Sequence, residues 1–415
     1  MNNTRVVITG LGALSPLGNN VPTNWANALK GKSGASRITR FDPSEFKVQF
    51  ACEVKDYNPA DKLDRKEIKK TDLFTQYALY ASSEAIEDAG LDINACETPY
   101  DIGVIWGSGQ GGMDTFEEEV KYFSQNNGKP RFSPFFIPKL ITNMASGMIS
   151  MKHGFMGINY TAVSACATSN TAIMDAFNYI RMGKAKAIIT GGSESPITEA
   201  SIGGFSAMKA MSTRNDQPQA ASRPFDVDRD GFVMGEGAAA LVLEEYTHAK
   251  KRGANIYAEV VGAGMTADAY HLTATHPEGE GAYHAMKFAM DEAKINIQDI
   301  DYLNAHATST PVGDVSELKA VLRHVKNNDG FYITATKSMT GHLLGGAGAI
   351  EAILSIKSLN DGVIPPTINL DNLDPKVPAN IRVVNKALEK DINLVMSNTF
   401  GFGGHNSTVI FKKFV

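Results

Sequence analysis

The sequence predicts an α/β protein with strands buried on both faces, built from two halves that repeat one element order. Three observations predict it. Short apolar, β-branched runs are bounded by glycines, helical patterns lie between them, and the alternation restarts near residue 255. The length agrees, since 415 residues exceed the roughly 100–200 of one ordinary domain.

Residues 5–9 read as the first strand, closed by Gly10-Leu11-Gly12. A helical pattern follows over 72–89, then a strand at 101–106 closed by Gly107-Ser108-Gly109. A helix over 169–181 precedes strands at 187–190 and 238–243. In the second half, a strand at 256–261 runs into Gly262-Ala263-Gly264, and a helix follows over 281–293. Strands at 302–305 and 332–336 are each followed by a helix, at 315–325 and 347–359. Strands at 394–398 and 407–414 close the chain. The boundary therefore falls at 255/256, giving halves 1–255 and 256–415 that share pattern rather than sequence.

Composition narrows the function. Hydrophobic residues make up 43% and charged residues 20%, enough apolar material for a large core. A net charge of -5 argues against nucleic acid or an anionic membrane as partner of the whole chain. The three cysteines, Cys52, Cys96 and Cys166, are few and odd in number, which favours a reducing compartment over a disulfide framework. None has CxxC spacing, so no metal site is expected from them. The first residues lack the features of a secretory leader, and no apolar run is long enough for a membrane span. The expected location is the cytoplasm.

Four stretches carry candidate chemistry. In Ala162-Val163-Ser164-Ala165-Cys166-Ala167-Thr168-Ser169-Asn170, small residues surround a cysteine just before a helical pattern. The positive helix end and its free N–H groups favour a thiolate. The same pattern also suits an inert buried cysteine, and the residues alone leave both readings open. In Asn304-Ala305-His306-Ala307-Thr308-Ser309-Thr310-Pro311-Val312-Gly313-Asp314, a histidine ends a strand, where α/β folds bind ligands, or merely caps a hydroxyl-rich turn. From Thr336 to Gly348, Lys337 and His342 sit among glycines at a strand-to-helix junction. That order is not a phosphate-binding GxxxxGK[ST] loop. From Ser397 to Asn406, the glycines suit a β-turn or a mobile loop carrying an aromatic gate. One cysteine, two histidines and a lysine at strand ends could build an acyl-transfer site, with the imidazoles donating to a developing enolate.

These stretches, SACATS around Cys166, NAHATSTPVGD around His306, KSMTGHLLGGAGAIE from Lys337 and SNTFGFGGHN from Ser397, occur in the order that marks a known family. FSAMKAMS at 205–212 and DVDRDGFVMGEGA at 226–238 add to them. The chain resembles, over essentially its whole length, the elongating β-ketoacyl-acyl-carrier-protein synthases, type II above all. The resemblance implies a thiolase-like fold, two duplicated α/β/α halves with two stacked mixed sheets, and a homodimer. It implies that Cys166 takes an acyl chain from acyl carrier protein, with no cofactor beyond the carrier's phosphopantetheine arm. The backbone N–H groups of Cys166 and Phe400 would form the oxyanion hole. His306 and His342 would hold the enolate left when malonyl-carrier protein loses carbon dioxide. Lys337 would set the electrostatics of the histidines, supported by Glu351. Thr308 and Thr310 would bind the phosphopantetheine arm, Phe402 would gate the acyl pocket, and Phe205 and Phe136 would line it. Carrier docking would fall to Lys66, Lys69 and Lys70, with Arg131 and Lys209 as further candidates.

Three positions depart from the family pattern. Ala307 stands where glycine is common, and His405 where threonine is. Gln110 falls where an apolar residue usually closes the acyl pocket, which leaves the preferred chain length open. A degradative thiolase would need a second cysteine near the C-terminus, and none follows Cys166. Starter-type enzymes carry asparagine in place of His342, and non-catalytic partner subunits lack the cysteine. A synthase for polyketide or polyene pigments would share the whole catalytic set, so that pathway stays open. A cysteine hydrolase would also acylate Cys166, but would release the acyl group to water.

Overall fold

The computed structural model describes residues 4–325 and 330–415. Eleven strands form its main sheet. The first half supplies β1 (Val6–Leu14), β2 (Ile102–Gly107), β3 (Asn159–Ala162), β4 (Ala187–Glu194) and β5 (Gly237–Glu245). The second supplies β6 (Ala258–Ala267), β7 (Tyr302–Asn304), β8 (Phe331–Thr334), β9 (Ile381–Val383), β10 (Leu394–Gly401) and β11 (His405–Lys413). Their order across the sheet is β9-β8-β7-β10-β11-β6-β1-β5-β4-β2-β3.

The duplication is visible in that order. In each half the third strand lies outermost of five, followed by the second, fourth, fifth and first, with β9 added at one edge. Directions repeat too: β2 is parallel to β3 and β4, as β7 is to β8 and β10; the added strand β9 is parallel to β8, and the remaining pairs are antiparallel. The two stacked sheets expected from the resemblance are joined edge to edge, by a short antiparallel ladder that pairs Val6, Val7 and Ile8 with Val260, Glu259 and Ala258.

Five helices frame the site: α1 (Leu73–Ala89), α2 (Thr168–Arg181), α3 (Glu280–Ala293), α4 (Gly313–Val325) and α5 (Ala347–Asp361). Helices α2 and α5 pack on each other and on strands of both halves. Ile173, Phe177, Ile350 and Ile353 share one core with Leu241, Leu243, Val395 and Val409. Each sheet half thus covers one side of this helix pair, and α1 and α3 cover the outer faces.

The expected elements are present, but several strands run longer, because some glycines read as turns lie inside strands. A Cβ at Gly10 or Gly12 would come within 2.1 or 2.0 Å of the Ala85 or Ala81 carbonyl of α1. Gly262 and Gly264 repeat this in the second half, at 2.2 and 2.1 Å from the Ala289 and Ala285 carbonyls of α3. These glycines let a helix lie directly on a strand. The strand β3 was not anticipated: Asn-Tyr-Thr-Ala at a sheet edge, mostly unburied, shows no apolar alternation.

Substituting Gly12→Ala is expected to lower stability in urea by about 1–3 kcal/mol, because backbone must move. Gly147→Ala, inside the helix Met144–His153 with nothing within 4 Å of the new Cβ, is expected to be neutral or stabilising by up to ~1 kcal/mol.

Candidate active site

The reactive residues leave the carboxyl ends of the parallel strands. The chain after β3 makes a tight elbow in which Ala165 has φ +50°, a left-handed conformation held beside small residues. A 3-10 turn over Ala165–Ala167 then feeds straight into α2. Thr168 Oγ1 accepts the Ser164 N–H at 2.8 Å, and Ser164 Oγ meets Thr171 Oγ1 at 2.8 Å, which fixes the elbow. Cys166 is thereby presented at the head of α2, 8% exposed.

From the second half, His306 lies two residues beyond the end of β7, and the segment after β8 carries Lys337, which opens a short helical turn over Lys337–Thr340, and His342. The imidazoles lie edge-to-face, 5.4 Å between centroids. Phe400 packs on His306 at 5.6 Å and Phe232 on His342 at 5.5 Å. Both histidines keep a buried Nδ1 without a partner. A cavity of about 350 Å³ brings together Cys166, His306, His342, Thr308, Thr310, Phe205, Phe400, Phe402 and Lys209. Phe402 and Phe205 stand 6.3 Å apart in its wall, beside Phe232.

Burial governs the charges. It pushes the Cys166 thiol up to about 12, and the Lys337 ammonium and the backbone N–H of Phe402 pull it back down. It holds both imidazoles well below the ordinary histidine range, and Lys337 adds to the effect. Lys337 is 1% exposed and does not reach the cavity; its Nζ bonds to Glu351 Oε1. Burial pushes the Glu351 carboxyl up to about 7 against the pull of that cation. The site is therefore a neutral thiol facing two neutral imidazoles, with one fixed positive charge behind them.

The backbone N–H of Phe402, in the turn after β10, is among the groups that favour the Cys166 thiolate. Phe400 lies inside β10, paired with Asn406, and contributes its ring to the cavity. Two other residues stand apart. Gln110 does not line the cavity; its side-chain carbonyl accepts the Ser201 hydroxyl at 3.2 Å. Phe136 lies on the outer surface, stacked 5.6 Å from Phe132. Lys66, Lys69 and Lys70 are exposed on the helix Arg65–Lys70, and Arg131 is exposed beside Glu118 and Glu119; none lines the cavity.

Sequence reasoning missed Glu317. This 2%-exposed carboxylate on α4 accepts the N–H groups of His306 at 3.0 Å and Ala307 at 2.8 Å, and the Asn398 amide at 3.1 Å. Asn398 in turn accepts the Thr408 hydroxyl at 2.8 Å. A carboxylate between Ser316 and Leu318, on the buried side of an amphipathic helix, was the available signal. Thr273 and Thr275, from a loop far in sequence, also line the cavity and had no local signal.

A buried thiol at a helix head, opposed by two neutral imidazoles, defines an acyl-transferring enzyme of the condensing class. Comparison with known proteins gives the family. Residues 3–249 match the beta-ketoacyl synthase N-terminal domain, and residues 257–371 match the beta-ketoacyl synthase C-terminal domain. The 3-oxoacyl-[acyl-carrier-protein] synthase 2 of Staphylococcus aureus strain COL is 52% identical, covering 99% of each chain. A beta-ketoacyl synthase structure from Burkholderia phymatum STM815 superposes with a TM-score of 0.92 at 34% identity, over 99% of this chain and 100% of that one. A type II PKS acyl-carrier protein in complex with its ketosynthase bound to the hexaketide gives 0.90 at 29% identity, over 100% of both chains. The chain belongs to the β-ketoacyl synthase family and is a condensing acyltransferase of the thiolase-like fold. No helix among the described residues is long and apolar enough to cross a membrane.

The charge arrangement has a measurable consequence. In Lys337→Met the thiol loses the cation that favours its ionisation, and Glu351 takes up a proton. The pH midpoint for Cys166 alkylation by iodoacetamide should rise, and each unit of rise should slow alkylation at fixed pH about tenfold.

Proposed function

We propose that the chain elongates fatty acyl groups on acyl carrier protein, and that the Cys166–His306–His342 constellation in one cavity carries this reading. The Cys166 sulfur attacks the carbonyl of a carrier-bound acyl thioester. The carrier's phosphopantetheine thiol departs with the cysteine's proton, and the acyl group is left on Cys166. The N–H groups of Cys166 and Phe402 hold the oxyanion during this exchange. Malonyl-carrier protein then enters, with Thr308 and Thr310 bonding the phosphopantetheine arm. Loss of carbon dioxide leaves an enolate, which accepts N–H bonds from His306 and His342 in their Nε2–H tautomers. Its carbon attacks the acyl-Cys166 carbonyl, the adduct collapses, and the cysteine leaves as thiolate and regains a proton. The product is a β-ketoacyl thioester two carbons longer.

Neutral imidazoles suit this role, since a donor that stays uncharged stabilises the enolate without handing it a proton early. Lys337, held by Glu351, keeps them neutral. Phe402 gates the acyl pocket and Phe205 lines it. The half 1–255 supplies the nucleophile, and the half 256–415 supplies the enolate site. No cofactor beyond the carrier's arm is required by these steps. The free cysteines suit a cytoplasmic location.

The carrier is acidic in this reading, and exposed Lys66, Lys69, Lys70 and Arg131 attract it, with Lys209 at the cavity mouth. The second partner is another copy of this chain. Phe116, Phe123, Phe132 and Phe136 form a run of stacked rings near the edge strand β3, and Phe116, Phe132 and Ile137 are 42%, 44% and 56% exposed. A bare edge beside such a patch favours coverage by a symmetric copy. That copy would bring Phe136 and Gln110 close to a shared acyl pocket.

Intact-mass analysis tests the reaction. Incubation with acyl-carrier proteins should add one acyl group, absent in Cys166→Ala, and malonyl-carrier protein should then release it as a β-ketoacyl thioester. His306→Asn and His342→Asn should still load but not condense. Release as free acid, or no loading, would remove the synthase reading. In sedimentation, the wild type should run as a dimer and Phe116→Asp/Phe132→Asp as a monomer; a monomeric wild type would remove the dimer.

A further inference from the structure

One buried carboxylate beside the nucleophile has no part in the steps above. Glu194 ends β4 with no exposed surface. Among the described residues no lysine or arginine pairs with it; its partners are backbone N–H groups. Gly109 donates to Oε1, and Gln110 donates at 3.2 and 3.3 Å to Oε1 and Oε2. The N–H of Gly345, in the turn that follows His342, also favours the ionised carboxyl. A Cβ at Gly345 would stand 2.5 Å from Oε1, and one at Gly109 3.0 Å from it. The two glycines therefore clear room for the carboxylate.

Its position decides what it can do. The 109–110 turn belongs to the first half and the 345 turn to the second. The Cys166 elbow lies next to both, with the Ala165 carbonyl 3.8 Å from a Cβ placed at Gly109. Leu344, beside Gly345, lines the cavity. The charge itself works against catalysis, since it opposes thiolate formation at Cys166 while Lys337 favours it. A group that costs reactivity, sits fully buried without a cation and draws on N–H groups of both halves is there for its geometry.

We propose that Glu194 is a positioning residue that clamps the 109–110 and 344–346 turns of the two halves around the Cys166 elbow, holding the thiol in line with the acyl cavity. The inference rests on Cys166 being the acyl acceptor. It predicts two effects of opposite sign in Glu194→Gln. The variant loses the charge, so the pH midpoint of Cys166 alkylation by iodoacetamide moves down. It also turns an amide N–H₂ against backbone donors, so the turns part and acyl transfer from acyl-carrier protein slows roughly 10- to 100-fold. Glu194→Asp keeps the charge but shortens the reach: its alkylation midpoint should match the wild type while acyl transfer falls. It also serves as the test if Glu194→Gln does not fold.

A general packing defect would slow transfer without lowering the midpoint. An unchanged midpoint in Glu194→Gln overturns the proposal, as does wild-type acyl transfer in either folded variant. A wild type that never acylates would instead remove the acyl-acceptor reading, and the alkylation midpoints would still report on Glu194.

Discussion

Lys337 is enclosed on every side, and its ammonium is bonded to the Glu351 carboxylate between the turn after β8 and the helix α5. Two charges removed from water at this depth are tolerable only as a pair. The pair is unequal in its reach, because Lys337 acts on Cys166, His306 and His342, and also on Glu317, while Glu351 stands behind it. One cation thus biases all three groups, drawing the thiol toward ionisation and the imidazoles toward neutrality. Burial alone would do only half of this. It keeps histidines neutral, but it also suppresses the thiolate, and the positive charge offsets that suppression.

The duplicated topology explains how such a site is assembled. The third strand of each half leads into a central helix: β3 through the Cys166 elbow to α2, and β8 through a longer segment carrying Lys337 and His342 to α5. The same structural position therefore delivers Cys166 from one half and His342 from the other. Packing α2 against α5 between the sheet halves brings these turns together at one end of the helix pair. His306 arrives from the second strand of its half, and its backbone is held by Glu317. The turn after β10 adds Phe402 to the cavity wall.

Much of this was legible in the residues. Cys166 among small neighbours at a helix start, and His306, Lys337 and His342 at strand ends, are local patterns and appear where the sequence puts them. The strand and helix cores were legible for the same reason. What was not legible depended on neighbours distant along the chain. Gly10 and Gly12 read as a turn because nothing in the sequence shows that Ala81 and Ala85 will lie on them. Which backbone N–H stands free near the thiol was not legible either, because the β10–β11 ladder, which pairs Phe400 with Asn406, decides where the sheet ends. Glu317 and Glu194 look like ordinary acids until their backbone partners are known.

Those two carboxylates and Glu351 share one physical feature: burial pushes each up to about 7. They differ in what opposes the burial. Glu351 leans on a cation, Glu317 on N–H donors with Lys337 at greater remove, and Glu194 on N–H donors alone. A buried carboxylate held only by backbone dipoles is easily neutralised by one proton, and its bonds then weaken together. Glu194 is therefore the member of the set that no cation holds against protonation. The reactive geometry and the protonation of the second layer are thus coupled through the same N–H groups that shape the elbow's surroundings.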